Sequence, residues 1–109
     1  MTEQENLSEI VKRLVEAVNP EEIVLFGSRG RNRHHPGSDY DLLVIQSQPF
    51  GPGHSRLREI GRLEAAIGRL PLATDILLYS QDEVIRWKNS PNHVIGRALR
   101  EGTVLYARH

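Results

Sequence analysis

Apolar residues return every three or four positions near the start of the chain, at Leu7, Ile10, Val11, Leu14, Val15 and Val18. On a 3.6-residue repeat they form one stripe, which predicts an amphipathic helix with Thr2 and Glu5 as its capping box and Pro20 beyond its end. The period then changes. Residues 22–26, Glu-Ile-Val-Leu-Phe, are a short β-rich run that stops at Gly27, as a buried strand would. From Ser28 to Ser38 the chain is polar and broken by Gly30, Asn32, Pro36 and Gly37, which predicts a short helical turn followed by a loop. Residues 39–46 read as a second strand. Pro49, Gly51, Pro52 and Gly53 punctuate residues 47–55 too densely for regular structure, so this is a loop, either a mobile cover for a substrate or a slack connection.

Helical spacing resumes at Leu57, Ile60, Leu63, Ile67 and Leu70, with Arg56, Arg58, Arg62 and Arg69 mostly on the wet side and Pro71 as the stop. Residues 73–79 form a third strand. Ser80 and Glu83 then suit a capping box for a short helix holding Val84 and Trp87. Val84, Ile85 and Trp87 either make an exposed apolar patch or cover the sheet, and core packing is the favoured reading. Ser90-Pro91 opens a last helix that buries Val94, Ile95, Ala98 and Leu99, stops at Gly102 and hands over to a terminal strand at residues 103–106. Helices and strands alternate throughout. The expected class is α/β, a mixed β-sheet of about four strands flanked by helices, in a single domain over residues 1–109.

Composition narrows this picture without changing it. A chain of 109 residues suits one domain with a modest core and leaves no room for a second, substrate-binding domain. Apolar residues at 39% and charged residues at 26% are those of a folded, water-soluble protein rather than a disordered one. Fourteen basic residues offset fourteen acidic ones, so no global charge draws the chain to nucleic acid or to a membrane, and tight direct binding of nucleic acid is not expected. There is no cysteine, which excludes disulfides, thiolate metal sites and a cysteine nucleophile. Without a secretory pattern or a membrane-length apolar run, the expected location is the cytoplasm.

The candidate chemistry lies where the first two strands meet the polar segment. A glycine and a serine at a strand-to-helix turn, Gly27-Ser28, offer backbone N–H groups and a hydroxyl to phosphate oxygens, although Gly-Ser alone is a common turn dipeptide. Asp39 and Asp41 are two apart in a strand, so both carboxylates leave one face while Tyr40 leaves the other. The apolar run Leu42 to Ile45 follows at once. Paired carboxylates suit a hard divalent cation such as Mg²⁺ that keeps its other positions for water or phosphate; a solvated strand start is the plainer alternative. Asp75 lies within the apolar run of the third strand, where an unpaired carboxylate is costly unless a cation joins it to Asp39 and Asp41. An edge-strand aspartate facing solvent or an arginine is the competing explanation. Arg29, Arg31, Arg33, His34 and His35 are either solvated loop charges or a means of steering phosphate, with Arg29 the foremost phosphate contact.

Gly27-Ser28, followed after ten residues by Asp39-Tyr40-Asp41-Leu42-Leu43-Val44, resembles the DNA polymerase β nucleotidyltransferase superfamily. More narrowly, the chain resembles the minimal nucleotidyltransferases, the MNT partners of MNT/HEPN toxin-antitoxin pairs. The likeness continues through Asp75 to the closing run Ala98 to Tyr106. It implies that Gly27 and Ser28, with Arg29, hold the phosphates of ATP or another nucleoside triphosphate, and that Asp39, Asp41 and Asp75 are the catalytic and metal-binding acids for two Mg²⁺ ions. It also implies transfer of a nucleotidyl group, AMP if the donor is ATP, to an acceptor hydroxyl on a HEPN-type toxin partner. Three readings stay open at this point: an active antitoxin enzyme, a binding module that neutralises its partner by occlusion, and transfer to RNA or to a small molecule. A homo-oligomer is compatible with each.

Overall fold

The run Leu42, Leu43, Val44, Ile45 is apolar on consecutive positions, so a strand made from it must be covered on both faces. The computed structural model, which describes residues 2–27 and 39–108, is built around that requirement. In chain order the described elements are α1 (Glu3–Val18), β1 (Glu22–Phe26), β2 (Tyr40–Gln46), α2 (Arg56–Ile67), β3 (Thr74–Ser80), α3 (Gln81–Trp87), α4 (Val94–Glu101) and β4 (Thr103–Ala107). The sheet runs β3-β2-β1-β4, with β2 parallel to β3 and β1 antiparallel to both β2 and β4. The α/β class and the mixed four-stranded sheet flanked by helices are as the sequence predicts.

Side chains of β2 divide the core into two layers. Tyr40, Leu42 and Val44 pack with Ile10 and Leu14 of α1 and Leu63 and Ile67 of α2. Leu43 and Ile45 pack on the other face with Val24, with Val84 of α3, and with Ile95 and Ala98 of α4. Leu42, Leu43 and Val44 are each 0% exposed.

Local signals explain the element ends. Thr2 and Glu5 form the expected reciprocal capping box, and Asn19 closes α1 in a left-handed conformation. Ser80 and Glu83 meet as expected, the Ser80 N–H donating to the Glu83 carboxylate at 2.9 Å. Three expectations need correction. Helix α2 ends at Ile67, short of Pro71, and Leu57 is not in its buried stripe but 80% exposed; the first buried position of the helix is Glu59, held by polar partners. Helix α4 begins after His93 rather than at Ser90-Pro91, because the His93 ring accepts the Ile95 N–H and so acts as the cap. The third strand is shifted by one residue to Thr74–Ser80, and the second starts at Tyr40. The 47–55 connection is not slack: Gly51 and His54 exchange two backbone hydrogen bonds of 3.0 Å, and the His54 ring stacks on Phe50 at 4.6 Å. Of the apolar trio on α3, Val84 is buried as favoured, whereas Ile85 and Trp87 are exposed. The short helical turn expected within residues 28–38 lies outside the described residues. Among those that are described, no helix is long and apolar enough to cross a membrane.

The two-layer core fixes an expected stability pattern. Leu42→Ala should cost about 2–5 kcal/mol in urea denaturation because it empties a fully enclosed position. Leu57→Ala, on the exposed side of α2, should change stability by no more than about 0.5 kcal/mol.

Candidate active site

Strand β1 leaves the sheet at Phe26, and the next residue, Gly27, takes φ = 68°, a left-handed conformation that L side chains rarely adopt. Its neighbour across the antiparallel pair is β2, with Phe26 opposite Asp41. The left-handed angle favours glycine, and a Cβ at residue 27 would also displace the Asp41 carboxylate from its present position. On the other side of β2, Asp41 stands opposite Asp75 in the parallel pair. Three strands therefore place Gly27, Asp41 and Asp75 in one row across an end of the sheet. Asp41 shares its face with Leu43 and Ile45, the face that α3 and α4 cover, and the row of acids lies where that cover ends.

On the opposite face Tyr40 is buried, and its hydroxyl accepts a hydrogen bond from the Asn6 side-chain amide at 3.2 Å. This contact anchors the start of β2 to α1 and holds the next residue, Asp41, in its register. Asp39 is exposed and stands one residue before the strand. Burial first, and then the charges of Asp75 and Asp39, raise the Asp41 carboxyl above the ordinary aspartate range. Asp41 thus feels the charge of both other acids, although among the described residues no three acidic or histidine side chains close into a cluster of metal-binding size.

The burial argument made for Asp75 from sequence is overturned: β3 is an edge strand, and Asp75 is exposed. What ties it to the site is register opposite Asp41, not the cost of enclosure. Ser28, Arg29, Arg31, Arg33, His34 and His35 lie outside the described residues. For a hard divalent cation the donor set is suitable: two carboxylates side by side, open to solvent, with charge repulsion that a cation would offset, leaving other positions to phosphate oxygens. Asp41 is central to such a set, with Asp39 one residue before the strand and Asp75 opposite.

Sequence reasoning missed a second polar concavity, a cleft of about 560 Å³ at the far end of β2, lined by Gln46, His54, Glu59, Arg58, Arg62 and Arg108 among others. No motif announced it. The one available signal was Gln46 closing an apolar strand at a position whose alternation points inward with Leu42 and Val44.

The raised Asp41 pKa has a direct consequence in the metal-free protein. Folding favours the protonated carboxyl, so its contribution is fully present below the ordinary value of 3.8 and is lost as pH rises through the folded-state pKa. Asp41→Asn should therefore melt at a higher temperature than the native chain at pH 7, with the advantage shrinking as pH falls through the folded-state pKa toward 3.8 and gone at lower pH. Gly27→Ala should lower the melting temperature at both pH values, because its strain does not titrate.

The comparisons with known proteins bear on this site. The model of the family described as "Polymerase beta, Nucleotidyltransferase" matches residues 6–109. No curated protein gives a significant match. Similar solved structures include a provisionally named nucleotidyltransferase from Sulfolobus solfataricus, at 19% identity and TM-score 0.62, the match covering 94% of this chain and 79% of that one. A toxin-antitoxin complex with AMP-PNP matches at 20% identity and TM-score 0.57 over 95% of this chain and 75% of the other. The complex of a tri-AMPylated Shewanella oneidensis HEPN toxin with its MNT antitoxin matches at 18% identity and TM-score 0.55, over 98% and 74%. At these identities the structures speak to the fold; the match over residues 6–109 speaks to ancestry, and the chain belongs to the polymerase β nucleotidyltransferase family.

Proposed function

We propose that this protein transfers a nucleotidyl group, AMP from ATP, to a hydroxyl on a HEPN-type partner protein, as the antitoxin of such a pair. The observation that carries the reading is the row Gly27, Asp41, Asp75 at an open end of the sheet in a chain of this family. The toxin-antitoxin complexes among similar folds, one with AMP-PNP and one with an AMPylated HEPN toxin, support the choice of nucleotide and acceptor.

In this reading the acceptor hydroxyl forms a bond to the α-phosphorus, the bond from that phosphorus to the bridging oxygen breaks, and pyrophosphate departs. Asp75, exposed on the edge strand, meets the incoming hydroxyl and takes its proton. Asp41 and Asp39 would hold Mg²⁺, which would supply Lewis-acid stabilisation of charge on the phosphates. Gly27 keeps the floor of the site free of a side chain, and Ser28 and Arg29 contact the phosphates from the segment that follows it.

Mass spectrometry of a HEPN-type partner incubated with this protein, ATP and Mg²⁺ should reveal an added AMP. Asp41→Asn and Asp75→Asn should each slow its appearance by about 10³-fold, the scale of losing one preorganised group at developing charge. An unmodified partner that is nonetheless neutralised, equally well by both variants, would mean that the protein acts by occlusion.

A further inference from the structure

Strand β3 is an edge of the sheet, and its outer side is closed over only part of its length. The Tyr40 N–H donates to the Ala73 carbonyl at 2.9 Å, and Tyr40 pairs with Thr74. In a regular parallel ladder that register turns the backbone groups of Ala73, Asp75, Leu77 and Tyr79 toward β2, and those of Thr74, Ile76, Leu78 and Ser80 outward. At the far end two outward groups are taken: Arg56 donates to the Leu78 carbonyl, and the Ser80 N–H donates to Glu83 at 2.9 Å. Arg56 and Glu83 also pair with each other, so an ion pair between α2 and α3 stoppers this half of the edge. At the acid end there is no such cover among the described residues, where the N–H and C=O groups of Thr74 and Ile76 have no partner. Native proteins cover or blunt exposed edges, and here the cover stops beside Asp75.

The open stretch is matched to the acid it flanks. Asp75 turns its own backbone toward β2, so a strand added antiparallel meets it as a non-hydrogen-bonded pair, between hydrogen-bonded pairs at Thr74 and Ile76. Pairs of that kind bring side chains closest, with Cβ atoms about 4.5–5 Å apart, within reach of a hydroxyl for the Asp75 carboxylate. Asp75 is exposed while Thr74 and Ile76 are half-buried, so the carboxylate stands clear of the edge on the face that Asp41 shares. Asp39 and Asp41 make these surroundings negative, which disfavours acidic residues beside the incoming hydroxyl.

We propose that the acceptor protein presents its hydroxyl on an extended segment, without acidic residues around it, that adds as an antiparallel strand to β3 at Thr74 and Ile76. The inference rests on the nucleotidyl-transfer reading for its acceptor, and its test separates the two. In the complex of the isotope-labelled chain with the HEPN-type partner, without nucleotide or metal, amide hydrogen exchange followed by NMR should slow at Thr74 and Ile76 by at least about tenfold relative to the free chain. Asp75 and Leu77, whose N–H groups face β2 in both states, should change less. That alternation marks an added strand, since a helix or loop lying over the edge would slow neighbouring amides together. Thr74→Pro removes an outward N–H at the first residue of the strand without breaking the ladder to β2, and should weaken partner binding about tenfold, whereas Thr74→Ala should bind as the native chain does. Binding with no slowing at Thr74 and Ile76, or unchanged binding by Thr74→Pro, overturns the proposal and leaves the transfer reading standing. A partner that does not bind overturns both. Slowing at the same amides in the free chain that grows with its concentration would assign the edge to a second copy and overturn the proposal as well.

Discussion

The close approach of the residue 27 backbone to the Asp41 carboxylate is the constraint on which the rest of the site depends. Two conditions meet at one position: a left-handed turn that takes the chain out of β1, and a space that a Cβ could enter only by displacing the Asp41 carboxylate. Because Phe26 is paired with Asp41, moving the turn by one residue would change what lies beside the acid. The antiparallel register of β1 with β2 and the parallel register of β2 with β3 then carry the same geometry across to Asp75. The residue 27 backbone and the acidic side chains are thus brought together by strand pairing.

The helices supply what the strands lack. A central strand apolar on both faces demands two covering layers, which α1 with α2 and α3 with α4 provide. Helix α4 must end beside β1 for β4 to return along it, and Gly102 makes that turn possible: a Cβ there would come within 2.6 Å of Val24 Cγ1 and 2.8 Å of the Leu25 carbonyl oxygen. Chain reversal at this point puts β4 on the far edge of the sheet from β3, leaving Asp75 on an uncovered edge. The exposure of Asp75 is therefore a property of the topology.

Much of this was legible in the sequence, because periodicity reports burial directly. The stripe of α1, the doubly buried β2 and the Thr2/Glu5 cap follow from spacing and residue type. Where the reading failed, a polar side chain had taken a place that periodicity assigns to an apolar one. Leu57 fits the helical repeat of α2, yet Glu59 is the residue drawn inward, since Gln46 and Arg62 satisfy its carboxylate. His93 caps α4 through a ring nitrogen, which the usual Ser or Asp signal does not anticipate. For Asp75 the premise of burial was faulty, because strand order, and so exposure, is a tertiary property that local sequence does not encode.

The electrostatics of the acid row show why such a site belongs at a sheet end. Placed deeper along β2, where Leu42 to Val44 are fully enclosed, a carboxylate would have no water to stabilise its charge and no route to a substrate. Placed wholly in solvent, it would keep an ordinary pKa and no fixed position. Asp41 occupies the boundary: its neighbours in the strand hold it, partial burial and the adjacent acids raise its pKa, and the open edge admits a cation or phosphate to offset the repulsion. The strain is affordable because Tyr40, immediately before it, is buried on the opposite face and tied to α1 through Asn6. One residue of the strand thus contributes to the core while the next carries the destabilising charge, and their alternation lets the same short segment do both.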